Sequence, residues 1–196
     1  MTDPLLSAPF AAELPAYISV DVETAGPIPG VYSLLSIGAC TVMAPRQTFY
    51  VELQPEALAS QPEALAVHGL SLEALRQTGL PPKEAMQAFA RWLQATVPAG
   101  QHPLFVALNA PFDWAFVNDA FHRHLGENPF GHSAIDIKAF YMGLTANPWS
   151  RTGWKEIQAG APDFHPLVHN ALQDAQDQGD LFFNLLQRAA AARHTS

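Results

Sequence analysis

The sequence predicts a single α/β domain in which a mixed β-sheet is flanked by helices. The first third of the chain holds three short apolar runs separated by turn residues, which is typical of an antiparallel meander. The remainder alternates helical periodicity with further short apolar runs, as expected when strands are connected through helices. A length of 196 residues with 48% hydrophobic residues suits one domain with one substantial core.

Turn chemistry places the boundaries of the first three strands. We expect strands over residues 16–22, 33–43 and 47–53. The segment AGPIPG (25–30) must be a loop, because prolines and glycines dominate it. The tripeptide APR (44–46) supplies the turn between the second and third strands.

The later elements follow from helical periodicity and from residues suited to helix starts. Ser71 is a suitable N-cap for a short helix, and Pro82 suits the first turn of a longer one. In chain order we expect short helices within 56–77, a helix over 81–97, a buried strand over 103–108, a helix over 111–125, a short strand that turns helical within 133–144, a loop-rich segment over 145–166, and a long helix over about 169–193.

Charge and hydropathy exclude two classes of protein. The formal net charge of −8 leaves no room for the large basic face of a protein that covers duplex DNA. A nucleic-acid partner would therefore be a short piece or an end. No apolar run reaches the roughly 18 residues needed to cross a bilayer, so we expect no membrane partner.

The N-terminus and the cysteine content bear on location. Residues 1–15 lack the positive n-region of a signal peptide, and we interpret them as a loose lead-in to the domain. Cys40 is the only cysteine, so the chain forms no internal disulfide. That usage fits a reducing compartment, and we expect a cytoplasmic protein.

Two acidic residues at the end of the first strand carry the first functional signal. Asp21 and Glu23 stand two residues apart, so in an extended chain they point to the same side. Two bare carboxylates at that spacing repel each other unless a cation lies between them. The alternative is that the strand ends at Val20 and both acids are solvated in the following loop.

Further acids occur at the ends of later elements. Asp113 falls in the first turn of the helix after the fourth strand, where it could simply favour the helix dipole. Asp174 lies on the last helix, five residues after His169, so on one ideal helix the two side chains would be about 140° apart. They converge only if His169 precedes the helix or lies at its frayed start. Alternatively, Asp174 belongs to a solvated acidic stripe and His169 is a loop histidine bonded to backbone.

Together, four acids and one histidine suggest a site for hard divalent cations. Mg²⁺ prefers oxygen ligands and keeps several waters when it is bound. The sequence has no Cys/His cluster suited to zinc, no Gly-rich phosphate loop followed by Lys and Ser or Thr, and no GxSxG motif.

Three motifs resemble those of the DnaQ-like DEDDh exonucleases. DVETAG (21–26) resembles the first motif, NAPFDWAF (109–116) the second and HNALQD (169–174) the third, in the same order and at similar spacing. The segment LAVHGLS (65–71) also resembles a stretch found between the first two motifs. The second motif usually begins with a histidine, and Leu108 stands in its place.

The resemblance implies a ribonuclease H-like fold over residues 16–193 and a 3′–5′ exonuclease activity that releases nucleoside monophosphates from single-stranded RNA or DNA. It further implies two Mg²⁺ or Mn²⁺ ions per site. By the same resemblance, Asp21, Glu23 and Asp174 would hold one ion, Asp21 would bridge to a second that Asp113 reaches, and His169 would be the general base.

Other residues are candidates for holding the terminal nucleotides. The backbone of Thr24, Ala25 and Gly26 follows the first two acids and could approach a 3′ hydroxyl. Candidates for contacting the last nucleotides are Leu34, His68, Asn109 and Phe112. Phe112 could equally belong to the core, and His68 could be a turn residue.

The segment NPWSRTGWKEI (147–157) is the one basic and aromatic loop. Trp149 and Trp154 could stack on bases, while Arg151 and Lys155 could contact phosphates. Trp154 could instead anchor the core.

Three readings compete at this point. The first is a metal-dependent exonuclease acting on single-stranded 3′ ends. The second is a catalytically silent exonuclease fold that binds nucleic acid or a protein. The third is an unrelated α/β domain whose acids are ordinary surface groups. The resemblance also allows a homodimer, for which the apolar stretch LFFNLLQRAAAA (181–192) could supply an interface or could belong to the core.

Overall fold

A computed structural model describes residues 15–158 and 167–193. Within them the chain forms a five-stranded sheet in the order β3-β2-β1-β4-β5. The strands are β1 (Ala16–Thr24), β2 (Leu34–Thr41), β3 (Thr48–Glu52), β4 (Pro103–Ala107) and β5 (Ala134–Asp136). Residues 1–14 of the proposed lead-in (1–15) and the end of the loop-rich segment, residues 159–166, lie outside the described residues.

The sheet is mixed, as the sequence predicts. β1, β2 and β3 form the antiparallel meander, while β1, β4 and β5 run parallel. The helices are α1 (Pro62–His68), α2 (Leu72–Thr78), α3 (Pro82–Thr96), α4 (Ala110–Leu125), α5 (Ile137–Thr145), α6 (Trp154–Gln158) and α7 (Ala171–Arg193), with a 3₁₀ turn at Trp149–Arg151. No helix in the described ranges is long and apolar enough to cross a membrane.

Alternation along β1 separates the two faces of the sheet. Ile18, Val20 and Val22 point to one face and pack in the larger core cluster together with residues of α3 and α4. Phe89 of α3 is fully buried there and stacks on Phe49 at 4.9 Å between ring centroids. Burying a side chain of this kind contributes about 1.5–3 kcal/mol, so this face supplies much of the stability of the fold.

The opposite face receives α5, α6 and α7. The apolar half of this sheet face lies at the start of β1. There the Tyr17 ring packs against the ring of Phe182 from α7, with the ring centroids 5.4 Å apart. Leu181 and Leu185 of α7 are buried in the same cluster. The apolar stretch of α7 therefore packs inside the domain, as its core alternative predicted.

A glycine in β2 sets how closely α7 approaches the sheet. A Cβ atom on Gly38 would lie 2.1 Å from the backbone carbonyl carbon and oxygen of Ala171, the first residue of α7. No side chain fits in that space, so the start of α7 lies directly on β2. Because Gly38 pairs with Asp21 across β1 and β2, this contact brings the start of α7 beside the acidic end of β1.

The structure differs from the sequence expectations in three places. β1 continues to Thr24, so the alternative in which the strand stops at Val20 is wrong. α7 begins at Ala171 and leaves His169 in the preceding loop, because His169 has a φ of 56° that a right-handed helix does not allow. The loop-rich segment also contains the 3₁₀ turn and the short helix α6.

Candidate active site

The site lies where β1 extends beyond its parallel neighbour. Pairing between β1 and β4 ends at Ser19 and Val106, whereas β1 runs five residues further. Asp21 and Glu23 lie on this extension and point to the α7 face, with Glu23 only 9% exposed. Because the next strand stops short, the end of β1 is open to groups from the β4–α4 junction and from α7.

Asp113 reaches this end of β1 from the first turn of α4. Its Oδ1 accepts a hydrogen bond of 3.1 Å from the backbone N–H of Val22. That N–H lies beyond the last β1–β4 pair, so the carboxylate replaces a missing strand partner. Asp113 is only 5% exposed. The side chain is thus placed next to Asp21 by a contact that also completes the sheet edge.

Asp174 approaches from the opposite side, in the first turn of α7. It is 2% exposed, so it does not belong to a solvated acidic stripe. Its Oδ1 accepts a hydrogen bond of 2.9 Å from the Val168 backbone N–H. The segment before α7 therefore folds back onto the Asp174 carboxylate, and this segment carries His169.

His169 precedes α7 and is exposed to solvent. Ligand atoms of Glu23, His169 and Asp174 lie within 4.8 Å of one another. The left-handed backbone at His169 removes it from the helical geometry that would separate it from Asp174. His169 therefore precedes α7, which is the arrangement in which its side chain can converge with that of Asp174.

The four carboxyl groups share an environment that disfavours negative charge. Burial, and then the charges of Asp113, Glu23 and Asp174, raise the pKa of Asp21 well above its usual value, against a hydrogen bond from Gln178. Burial followed by the Asp174 charge raises the pKa of Glu23 to about 7.

The other two carboxyl groups behave in the same way. Burial raises the pKa of Asp113 to about 8, although backbone N–H groups at Val22 and at Asp113 itself oppose the shift. Burial also raises the pKa of Asp174, opposed by the N–H groups of Val168 and His169. Carboxylates gathered in this way remain charged at neutral pH when cations neutralise them.

This donor set suits a hard divalent cation. Carboxylate oxygens dominate it, the imidazole of His169 stands beside them, and water can reach the exposed side at His169. Four carboxyl groups held this close together require a cationic counter-charge when they are ionised. The residues present therefore fit Mg²⁺ or Mn²⁺ better than they fit zinc.

The turn after β1 is held by its own hydrogen bonds. The hydroxyl of Thr24 donates to the Gly26 carbonyl at 2.9 Å. The backbone N–H of Ala25 donates to the Ser33 carbonyl, and the Ala25 carbonyl accepts from the backbone N–H of Gln61. Gly26 packs against the Tyr32 ring so closely that a Cβ would lie 2.6 Å from it. This segment is a rigid neighbour of the two acids.

Three predicted contact residues have mainly structural neighbours. Both ring nitrogens of His68 are engaged by backbone: Nδ1 accepts from the Leu70 N–H, so Nε2 carries the proton donated to the Thr24 carbonyl at 3.2 Å. Leu34 is 8% exposed and belongs to the larger core cluster. Phe112 packs against that cluster and meets Phe116 at 5.4 Å.

Asn109 and the loop after α5 are more accessible. Asn109 is exposed and has a φ of 66°, a left-handed conformation that asparagine tolerates better than most residues. Trp149 is 52% exposed, with the Lys138 ammonium 4.4 Å from its ring centroid. Arg151 is also exposed, whereas Trp154 packs against the second core cluster.

Sequence reasoning missed three residues that organise the site. Gly38 allows the start of α7 to lie directly on β2, and Gln178 donates a hydrogen bond to Asp21. The Asp136 carboxylate accepts hydrogen bonds from the backbone N–H groups of Ala110, at the start of α4, and of Ala139, in the first turn of α5, both at 2.7 Å. A glycine inside an apolar strand is a signal of close backbone approach. The four-residue spacing between Asp174 and Gln178 is a signal that the two share a helix face.

Comparison with known proteins identifies the family. No family model matches the chain. The chain is 45% identical over 166 residues to the 3′–5′ DNA exonuclease Cap18 of Escherichia coli, covering 85% of this chain and 89% of that protein. It is 29% identical over 183 residues to ribonuclease T of Escherichia coli K12, covering 87% and 84%.

Solved structures share the fold at low sequence identity. The nuclease domain of 3′hExo, a DEDDh family member bound to rAMP, superposes with a TM-score of 0.77 at 13% identity, covering 91% of this chain and 95% of that chain. Escherichia coli exonuclease I in complex with a dT13 oligonucleotide gives 0.70 at 16% identity, covering 93% and 43%. The chain belongs to the DnaQ-like family of metal-dependent 3′–5′ exonucleases.

Proposed function

We propose that this protein removes nucleotides one at a time from the 3′ end of single-stranded DNA, with two divalent cations bound by its acidic cluster. The observation that carries the proposal is the meeting of carboxylates from three separate elements beside an exposed histidine. An acidic protein with no extensive basic face is suited to gripping an end rather than a long duplex.

The carboxylates have distinct proposed roles in holding the ions. Asp21, Glu23 and Asp174 would hold one Mg²⁺ or Mn²⁺, and Asp21 with Asp113 would hold a second. Bound cations would neutralise the cluster and stabilise the negative charge that develops on the phosphate oxygens during cleavage. The Val22 N–H and the Val168 N–H keep two of these carboxylates oriented toward the centre.

His169 is the proposed general base. A neutral imidazole can accept a proton from the attacking water, which is the usual part of histidine in general-base catalysis. Its exposed position gives it access to that water, and its neighbours Glu23 and Asp174 favour the imidazolium that forms. The proton is then released to solvent from the same exposed position.

A DNA substrate is favoured by one specific comparison. The curated relative that is 45% identical over most of the chain is named a 3′–5′ DNA exonuclease. Ribonuclease T, at 29% identity, is the source of the alternative that RNA is also a substrate. The binding of dT13 by exonuclease I supports a single-stranded substrate.

The terminal nucleotide would be held next to the acids. The rigid turn Thr24–Gly26 would present backbone to the 3′ hydroxyl. Asn109, exposed beside the start of α4, would offer its amide to the same nucleotide. His68 and Phe112 would contribute contacts through the partly exposed surfaces of their side chains, and Leu34 through the small part of its side chain that stays accessible.

The upstream strand would follow the rim formed by α5 and the 3₁₀ turn. Trp149 offers one exposed aromatic surface for base stacking, with Lys138 beside it. Within the described part of the chain, Arg151 and Lys155 form no salt bridge with an acid. Both are therefore available to contact phosphates.

Salt dependence tests this binding path. Replacing Arg151 and Lys155 together with alanine should reduce the slope of log K against log salt for a single-stranded oligonucleotide by about 1.4, or about 0.7 for each phosphate contact. The matched control replaces Lys83 and Arg91, which are exposed on α3 at the other face of the sheet. Equal slopes for both double variants would remove the loop from the path.

Cleavage assays separate the enzyme from a silent binding module. Single-stranded DNA and RNA labelled at the 5′ end are incubated with the protein in Mn²⁺ or in EDTA. The proposal predicts a ladder shortening from the 3′ end in Mn²⁺, faster for DNA than for RNA. Oligonucleotides that are bound but stay intact would favour the binding module.

Assembly and location are also proposals. A homodimer, which the family resemblance allows, would show twice the 21.3 kDa chain mass by light scattering. A cytoplasmic location fits the single buried cysteine, Cys40.

A further inference from the structure

A buried glutamine lies at the centre of the acidic cluster. Gln178 is on α7, one helical turn after Asp174, and it is 1% exposed. Its side chain projects from the same helix face toward the ends of β1 and β4. A buried amide of this kind must satisfy both its oxygen and its NH₂ group, so its contacts are informative.

The orientation of the Gln178 amide is fixed by the backbone. The N–H of Leu108 donates to Oε1 of Gln178 at 2.8 Å. Because a backbone N–H only donates, the side-chain oxygen must point to Leu108 and the NH₂ group must point the other way. The NH₂ group then donates to Oδ1 of Asp21 at 2.6 Å.

This single amide joins the three elements that carry the acids. Gln178 shares α7 with Asp174, and it contacts Asp21 on β1. Leu108 is the first residue after β4 and lies five residues before Asp113. The Leu108 side chain packs against the second core cluster, so its backbone alone serves this link.

We propose that Gln178 is a positioning residue for metal binding: its NH₂ group fixes the Asp21 carboxylate against the neighbouring acids, and its oxygen ties that carboxylate to the β4–α4 junction. The inference deepens the proposed function and rests on it. Without the Gln178 donor, Asp21 would rotate away from Glu23, Asp113 and Asp174, because no other group in the described ranges donates a hydrogen bond to its side chain.

Two substitutions separate the two ends of the amide. Gln178→Glu keeps an oxygen for the Leu108 N–H but places an oxygen where the NH₂ group meets Asp21. Gln178→Leu removes both contacts at similar volume. Asn184→Asp is the matched control, because it makes the same amide-to-carboxylate change at an exposed position of α7 away from the acids.

Calorimetric titration with Mn²⁺, without substrate, is the first measurement. Gln178→Leu should weaken Mn²⁺ binding by about 10–100-fold, the range for loss of a residue that orients a metal ligand. In single-turnover and steady-state assays, both Gln178 variants should lower kcat with little change in the KM for the oligonucleotide. Asn184→Asp should match the wild type in both assays.

A stability cycle gives a readout that needs no metal. In EDTA, Gln178→Glu should lower Tm because two carboxylates meet, and adding Asp21→Asn should restore much of the loss. A merely structural role for Gln178 would leave Gln178→Glu with wild-type Mn²⁺ affinity and kcat, and that result would overturn the inference. A wild type that binds Mn²⁺ but cleaves nothing contradicts the proposed function while leaving the Mn²⁺ and Tm comparisons as tests of Gln178.

Discussion

The two faces of β1 contrast sharply although they are built from alternate residues of one strand. Ile18, Val20 and Val22 pack into an aromatic core, where every side chain gains by excluding water. Asp21 and Glu23 lie on the other face of the same strand, where burial and their acidic neighbours raise the pKa of each. Burial on the first face stabilises the fold. That stability offsets the repulsion between the carboxylates that the fold holds together on the second face.

Substitutions on the two faces should therefore affect stability and activity differently. A substitution on the core face should lower stability while the surviving folded molecules remain active. A substitution that removes charge on the acidic face should abolish activity while it relieves repulsion.

The largest effect is expected from neutralising single acids. Asp21→Asn, Asp113→Asn or Asp174→Asn should each lower kcat by at least about 10³-fold, as when one member of a catalytic unit is lost. In EDTA at pH 8 each variant should have a Tm equal to or above that of the wild type, because repulsion falls. Steady-state cleavage and thermal melts measure the two quantities.

The core face supplies the opposite control. Phe89→Ala should lower the free energy of unfolding by about 3–5 kcal/mol, as expected for a buried aromatic side chain. Its kcat per folded molecule should stay within about twofold of the wild type. A core variant that loses activity in full, or an acid variant that keeps it, would remove the division between the faces.

Loss of the proposed base should have the next largest effect. His169→Ala should lower kcat by about 10²–10⁴-fold, the usual contribution of a general base. Mn²⁺ binding should persist through the carboxylates, and the part of the pH dependence of kcat that comes from the general base should disappear. An unchanged pH–rate profile would exclude His169 as the base.

Gly38 tests whether the position of α7 matters to the acidic face. Gly38→Ala should displace the start of α7, because the added Cβ would overlap the Ala171 backbone. Overpacking of this kind costs about 1–3 kcal/mol of stability, and a shift of about 1 Å at Asp174 could cost about 10²-fold in kcat.

Gly179 is the matched control for Gly38. Gly179→Ala adds the same methyl group at the same helix–sheet contact, where its nearest neighbours would be Cys40 Sγ at 3.1 Å and the Ser19 Cβ at 3.3 Å. The gain in helix propensity should offset that modest crowding. If both variants behave alike, the close approach at Gly38 does not position the site.

The smallest effect is a pH dependence of stability in the metal-free protein. Raised carboxyl pKa values mean that the folded state binds more protons than the unfolded state between pH 4 and 8. The stability linked to these protons is complete below about pH 4 and is lost as pH rises through about 7–8. Tm in EDTA should therefore fall over that window, and Mg²⁺ should raise Tm more at pH 8 than at pH 5.5.

Removing one acid should reduce the pH dependence of Tm. Asp113→Asn should flatten the decline of Tm, because one raised pKa is lost and the Asp113 charge no longer helps to raise the pKa of Asp21. A Tm that rises steadily between pH 5 and 8 in EDTA, in the wild type, would contradict the account of the acidic face.

The fold was largely predictable because local patterns and tertiary packing agree. The strand meander, the helix over 82–96 and the apolar face of α7 follow from periodicity and turn residues. The four acids and His169 were found by their places at the ends of elements and by motif resemblance. Their convergence needed the structure, since it depends on the left-handed backbone at His169 and on the reach of α7 over β2.

The supporting residues escaped prediction for a physical reason. Gln178 and Asp136 act through hydrogen bonds to groups distant in sequence, such as Asp21 and the Ala110 N–H. No local pattern reports such partners. Gly38 had a local signal, but only the structure shows that the backbone of α7 fills the space beside it.

Anomalous diffraction from crystals grown with Mn²⁺ and a nucleoside monophosphate would show directly whether the four acids bind metal ions together. We predict two peaks bridged by the Asp21 carboxylate, one also bound by Glu23 and Asp174 and the other adjoining Asp113. Ordered nucleotide with no manganese peak at any of these four side chains would contradict the account.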